Sequence, residues 1–312
     1  MRRWLALVPT LLLASILIFA IIRLSPGDPV RMRLGTEATP EEVAGERERL
    51  GLDRPLPLQY LVWLSDLGRL DLGRSQVNNR PVAALLAEHF PNTLRLSLTA
   101  FVLAVLIGLP LGCLAAVRRD TAADVLITGL NSLGLAIPAF WLGMLLILVF
   151  SVTLQWLPAS GLGEPGQPWF VNLRYLVLPV VTIAILNLSV FARFVRSSML
   201  DVLGADYVRT ARAKGAPERA VIGRHALRNA LIPVVTVLGI QFGRLLGGAV
   251  VTEAVFAYPG IGRLVVTSIL NRDYPVVQGT LMLVVAIFLL TTIVVDLTYA
   301  YLDPRVAQHG GA

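Results

Sequence analysis

Three stretches decide the reading: Arg193-Phe194-Val195-Arg196, Asp206-Tyr207-Val208-Arg209-Thr210-Ala211-Arg212-Ala213-Lys214-Gly215, and Arg224-His225-Ala226-Leu227-Arg228-Asn229-Ala230-Leu231-Ile232-Pro233. Together they form one basic, helix-prone segment between two long apolar runs. Residues 193–228 carry eight Arg or Lys against three acids. Gly204 and Gly215 bracket a run of mostly good helix formers, and Ala216-Pro217-Glu218 opens a second helix. The spacing predicts helix, glycine turn, helix, with the second helix running on into the apolar run through Leu231-Ile232-Pro233. Small residues at Thr210, Ala211 and Ala213 leave a low surface, with Arg209, Arg212 and Lys214 around it. Such a surface suits close approach by another protein. It equally suits a basic helix lying on anionic lipid.

The flanking runs set the class. Of 312 residues, 55% are hydrophobic and 15% are charged, where soluble domains carry roughly 25% charged residues. The apolar excess falls in blocks near the ~20 residues that a helix needs to cross a bilayer. The net charge is +7, and Lys214 is the one lysine among 27 basic residues. Nucleic-acid binding would also suit a basic chain, but many arginines lie in short loops beside apolar runs, the pattern of membrane orientation. The single cysteine, Cys113, sits inside an apolar run and reads as a packing residue, with no disulfide framework or metal site.

Six runs pass the length test: Trp4–Ile22, Leu96–Val117, a run within Val125–Leu154, Tyr175–Ala192, about Asn229–Thr252 and about Pro275–Val295. The first reads as a retained anchor, because its apolar core is long and no A-x-A-like site follows before Arg23. Pro110, Pro138 and Pro179 interrupt the second, third and fourth runs as kinks or hinges. Arg2 and Arg3, Arg118 and Arg119, and the 193–228 segment are basic, whereas loops 155–174 and 257–274 are nearly neutral. Basic connections stay in the cytoplasm, so both termini are expected inside. The expected fold class is an all-α polytopic membrane protein with six transmembrane helices and a partly helical external loop between helices 1 and 2. The expected division is an N-terminal helix over 1–24, an external loop over 25–92, a transmembrane domain over 93–299 and a cytoplasmic tail over 300–312. Within the domain the spans are expected near 96–117, 128–153, 175–192, 229–252 and 275–295, around the cytoplasmic loop 193–228.

The external connection, 23–92, holds nine Arg and ten acids. Thr39-Pro40-Glu41-Glu42 looks like a helix start, with Thr39 as N-cap and Glu42 three residues on. Leu50-Gly51 would end that helix. Pro81–Phe90 gives another short amphipathic piece. The loop reads as an ordered cap over a pathway mouth, being too small and too poor in apolar residues for a free-standing enzyme domain.

Catalytic patterns are missing from the sequence. A P-loop needs a Lys within G-x-x-x-x-G-K-[ST], and Lys214, followed by Gly215, does not supply it. The histidines at 89, 225 and 310 lack metal-ligand spacing. No G-x-S-x-G elbow occurs. Glu41/Glu42 and Glu46/Glu48 read as a solvated helix face. No enzyme activity and no metal are expected.

The fifth run carries Gly239, Gly243 and Gly247 at four-residue spacing, a stripe that lets helices approach closely. Gln241 and Arg244 lie on another face. Arg244 stands 12 residues beyond Ile232, roughly 18 Å at about 1.5 Å per residue, near the middle of a roughly 30 Å core. An arginine there costs about 2.5–3.5 kcal/mol, so it is expected to face water or an acid. It reads either as a pathway residue that attracts a substrate carboxylate or as half of a structural ion pair. Glu253 and the Pro259-Gly260-Ile261-Gly262-Arg263 turn follow near the outer end of the span, as an outer gate or as a tight turn re-entering the surface.

These residues carry a resemblance. Arg209-Thr210-Ala211 and Gly215 fall where type I ABC importer permeases carry E-A-A-x-x-x-G, with the glutamate and first alanine replaced. Asp206 to Gly215 resembles the form seen in the dipeptide, oligopeptide and nickel class. So do Pro26-Gly27-Asp28-Pro29, Gly51-Leu52-Asp53-Arg54-Pro55-Leu56, Asp71-Leu72-Gly73-Arg74-Ser75 and Ile137-Pro138-Ala139-Phe140-Trp141-Leu142-Gly143. Trp156-Leu157-Pro158-Ala159-Ser160-Gly161, Arg272-Asp273-Tyr274-Pro275 and Asp303-Pro304-Arg305 complete it. The resemblance covers nearly all of the chain and is most like the first ("B") permease of that class.

It implies a heterodimer with a second permease and a pathway between them in the bacterial inner membrane. Two ATPase subunits would dock inside, holding ATP and Mg that this chain does not bind, and an extracytoplasmic solute-binding protein would dock outside. It also implies an ATPase contact at Tyr207, Arg209, Thr210, Ala211, Lys214 and Gly215, and leaves the binding protein as an alternative partner for Glu253, Pro259, Gly260, Gly262 and Arg263. Peptides, glutathione, nickel chelates and some sugars all suit it as cargo. The alternative is a stand-alone secondary transporter or channel, which usually places acidic or His groups near the midplane.

Overall fold

The computed structural model describes residues 2–24, 30, 34, 38–49, 51–163, 166 and 169–302. The Pro26–Pro29 and Asp303–Arg305 motifs lie outside the described residues, as does Leu50. Every regular element among the described residues is helical apart from one isolated bridge between Arg74 and Pro81. The chain divides into two compact units, one of residues 1–93 with 259–289 and one of residues 94–258 with 290–312.

Four helices are long and apolar enough to cross a membrane: Val82–Val117, Val171–Leu203, Glu218–Val255 and Tyr274–Val295. Ala122–Ala136 and Ala139–Thr153 make a fifth only as a broken pair, bent by 99°. That bend falls at Ile137-Pro138, where extended backbone (φ −76°, ψ 123° and φ −64°, ψ 133°) stops one helix and starts the next. Proline disfavours helical backbone in the residue before it, so the third run is an elbow rather than one rod. The first apolar run, Val8–Leu24, is a shorter apolar helix.

In the first unit, α1 (Arg2–Leu24) packs on α3 (Leu56–Gly68). Phe19 meets Tyr60 edge to face at 5.5 Å, and Ser15 shares a 2.9 Å hydrogen bond with the Tyr60 hydroxyl. Helix α2 (Pro40–Arg49) has its capping box: Thr39 N donates to Glu42 Oε2 at 2.9 Å, and Glu42 N donates to Thr39 Oγ1 at 3.3 Å. The bond from the Thr39 backbone holds the Glu42 carboxyl below the ordinary carboxylate range. Pro81–Phe90 is no separate piece. It flows into α4 (Val82–Val117), because Val82, Leu85 and Leu86 are buried with Val276 in one cluster. Buried Asp273 accepts from Ser75 Oγ and, at 2.9 Å, from Gln76 N, which fastens the 71–80 stretch to the turn before the last helix.

In the second unit the broken pair is α5 (Ala122–Ala136) and α6 (Ala139–Leu146), the latter continued as a π-helical turn over Ile147–Thr153. Helix α7 (Trp169–Leu203) is the centre. Its crossing window is 61% buried, against 24–33% for the other three crossing helices. A Cβ on Gly112 would come within 2.5 Å of the Ala192 carbonyl, and one on Gly108 within 2.9 Å of the Leu188 carbonyl. The two glycines let α4 press against the α7 backbone, as small residues do between membrane helices. The last two long helices are α10 (Arg228–Gly248), continued by α11 (Val250–Val255), and α13 (Tyr274–Leu302). Gly239 does the same job against Val295, so the expected glycine stripe is a packing surface there.

Candidate functional site

The basic segment folds as helix, turn, helix, but begins later than its charge pattern indicates. Arg193–Leu203 remains inside α7, because Val195 and Met199 are fully buried there. The elbow itself starts at Gly204. Helix α8 spans Asp206–Ala213, and Gly215 follows at φ +81°, a left-handed backbone that glycine adopts without a Cβ clash. Then come α9 (Glu218–Ala220), a π-helical turn over Val221–Leu227, and α10.

The elbow is tied to the root of the long helix at several points. Val208 is the buried residue of α8. Asn229 Nδ2 donates to the Tyr207 hydroxyl at 3.0 Å. Arg212 grips Glu218 across the glycine turn, Nη2 to Oε1 at 2.7 Å and Nε to Oε2 at 3.2 Å. That hydrogen bond raises the Arg212 pKa above its ordinary value. Below it, Ala116, Val195, Met199, Ala226, Ala230 and Val234 form one buried cluster. Ser198 Oγ donates to the Ala230 carbonyl at 2.7 Å, joining α7 to α10. Arg209, Thr210, Lys214 and Gly215 are exposed, and Ala211 is half-buried. The candidate contact residues thus present an accessible surface on a helix fixed to a membrane helix.

Gln241 and Arg244 come together as expected from their spacing, with Arg244 Nη1 donating to Gln241 Oε1 at 3.4 Å. Arg244 is exposed, and none of the ion pairs among the described residues involves it. The outer candidates split. Glu253 is fully buried, so it offers nothing to a docking protein at the surface. Phe256 and Tyr258 beside it are buried in the core cluster with Leu96 and Leu176. Pro259, Gly260, Gly262 and Arg263 form a separate, side-chain-capped turn. Asn92 Nδ2 donates to the Pro259 carbonyl at 2.9 Å, and Ile261 N donates to Thr93 Oγ1 at 2.8 Å, where α12 (Ile261–Leu270) begins. Within that set Arg263 is the exposed side chain.

Sequence reasoning missed the ion pair between α5 and α7. Arg196 Nε and Nη2 each reach an Asp124 carboxylate oxygen at 2.7 Å, and the Asp120 backbone N–H adds a third bond at 3.1 Å. It fixes the loop after Arg118 and Arg119 to the C-terminal half of α7. Nothing in the spacing pairs residues 72 positions apart. Gly108 and Gly112 carried a legible signal, the same four-residue spacing as in the fifth run.

Long apolar helices, with a short exposed basic helix tied to the root of one of them, mark a multi-pass membrane protein. The chain belongs to the family described as binding-protein-dependent transport system inner membrane component, which matches residues 108–308. The N-terminal component of such systems matches residues 1–99. Among its relatives is the glutathione transport system permease protein GsiC of Salmonella typhimurium, 45% identical over 306 residues that cover 98% of this chain and 97% of the relative. GsiC of Escherichia coli K12 is 45% identical over 305 residues with the same coverage. The fold matches the MetNI methionine ABC transporter in inward-facing conformations, with TM-score 0.59 and 21% identity over 70% of this chain and 96% of that chain. It also matches an amino acid ABC transporter with histidines, with TM-score 0.52 and 16% identity over 72% of this chain and 94% of that one. The chain is therefore a permease subunit of a type I ABC importer, a multi-pass inner-membrane protein and not an enzyme. That membership sets aside the stand-alone transporter or channel.

Proposed function

We propose that this chain pairs with a second permease to form the translocation pathway for peptides or a related small solute. Two ATPase subunits hold the ATP and Mg and drive it from the cytoplasm, and a solute-binding protein delivers cargo outside. The observation that carries this reading is the elbow. Helix α8 exposes Arg209 and Thr210, and the Lys214 that follows it is exposed too, while Val208, Tyr207–Asn229 and Arg212–Glu218 fix the helix to the root of a crossing helix. A push on such a helix moves the span as a rigid body. The similarity to GsiC supports a peptide-like cargo such as glutathione.

Both termini lie in the cytoplasm, on the positive-inside argument. Arg244 and Gln241 line the pathway, where Arg244 draws a substrate carboxylate. Arg263 and its turn sit at the outer mouth, as part of a gate or a contact for the binding protein. The test is purification and uptake. The chain should co-purify with an ATPase and a second permease, and uptake should stop when the Walker lysine of that ATPase is replaced. A chain that transports alone in reconstituted vesicles would refute the reading.

A further inference from the structure

A cavity of about 290 Å³ opens between α5 and α7, lined by Thr128, Asn131, Arg193, Arg196, Ser197 and Asp201 among others. In a chain this apolar, a polar cavity between two membrane helices needs an explanation. Its walls are rich in hydrogen-bond donors. Arg193 is exposed and has no ion-pair partner among the described residues. Arg196 spends Nε and Nη2 on Asp124, which leaves Nη1 for the cavity. Asn131 is only 7% exposed, and it lines the cavity beside Thr128 and Ser197. Asp124 is already neutralised by Arg196. The remaining acid, Asp201, stands eight residues from Arg193, about 12 Å along the helix.

Depth and flank narrow the guest. The uncharged run Tyr175–Ala192 is 18 residues, about 27 Å of helix, against a roughly 30 Å hydrocarbon core. Arg193 is the first charge beyond it and so falls at the edge of the acyl region. The neighbouring face of α5 exposes Val125, Leu126, Leu130 and Leu133. An apolar strip ending in a donor-rich cleft, with Arg193 as the cation that has no ion-pair partner among the described residues, matches a molecule with acyl chains and a phosphate head. Basic pockets between membrane helices on the cytoplasmic side hold such heads, and guanidinium binds phosphate oxygens through charge-assisted hydrogen bonds.

We propose that this cavity binds the phosphate of an anionic phospholipid of the cytoplasmic leaflet, held by Arg193, Arg196 and Asn131. The leaflet rests on the orientation given under Proposed function; the site itself does not. The experiment uses the whole importer, purified in detergent with phosphatidylglycerol or phosphatidylcholine added, and counts retained lipids by native mass spectrometry. The unmodified complex should keep phosphatidylglycerol over phosphatidylcholine. R193Q should cut that retention roughly fivefold, as expected for one arginine near an anionic head, and N131L should also lower it. R119Q, a basic change outside the cavity, should leave retention unchanged. Glycerol phosphate, the same head without chains, should not displace the lipid. Equal retention in the unmodified, R193Q and N131L complexes would overturn the proposal. Displacement by glycerol phosphate would overturn the lipid and assign a soluble phosphate instead. Labelling of Arg193→Cys from the exterior would refute the orientation while leaving the lipid counts as they stand.

Discussion

Two short helices, α8 before the crossing helix Glu218–Val255 and α12 after it, are built in opposite ways. Helix α12 buries Ile261, Gly262, Val265 and Ser268 among its ten residues, and Thr93 caps its first N–H. Helix α8 buries Val208 among its eight and has no side-chain cap. One is held by its own unit. The other is anchored at one apolar point and two polar ones, and leaves its small and basic residues accessible. The difference teaches where a partner is needed. A helix that contributes little to its own core, yet is tied to a membrane helix, suits force received from another protein.

The largest effect that would sharpen this contrast lies within the second unit, where α4 meets α7. Gly112→Leu should abolish accumulation of folded protein, because even a Cβ would meet the Ala192 carbonyl at 2.5 Å and overpacking a tight core costs about 1–3 kcal/mol or more. Membrane-fraction immunoblots and size-exclusion profiles check it, and a normal profile would refute the close packing. Next comes Ala213→Trp, at an exposed position of α8. It should leave protein level unchanged yet lower ATP-driven uptake by more than tenfold, because the bulk falls on an accessible face that a docking partner must meet. Unaltered uptake would break the distinction between the two helices.

Thr93→Val should act only on stability. Loss of the cap on Ile261 costs about 1 kcal/mol, read as a lower Tm with uptake retained below it. Smaller again in its effect on uptake is Tyr207→Phe, which removes the Asn229 bond and a net ~0.5–1.5 kcal/mol of local tethering. Uptake per ATP hydrolysed should fall modestly while Tm barely moves. Glu218→Gln should be weaker still, since solvent screens an exposed ion pair.

Local chemistry was the legible part of the sequence. The Thr39–Glu42 capping box, the Gly215 turn, the Gln241–Arg244 spacing and the run-on of Glu218 into a crossing helix all depend on residues a few positions apart. Helix α3 was missed, although Pro55 and Pro57 mark its start, because the motif reading stopped at Leu56. Charge at Arg193 and Arg196 suggests that α7 ends at Ala192, whereas the buried Val195 and Met199 carry it on to Leu203. Pro138 marks an interruption in the sequence but not the 99° bend, since proline alone does not set an angle. The Asp124–Arg196 pair and the burial of Glu253 are tertiary facts, and nothing local encodes which distant side chain completes them.

The most direct test places single cysteines at Ala211 and Ala213 in the assembled importer and cross-links them to the ATPase subunits. The account predicts capture of an ATPase from both positions, with a yield that changes between nucleotide-free and ATP-bound states. No capture from either position, or labelling of these cysteines from the exterior of intact cells, would contradict it.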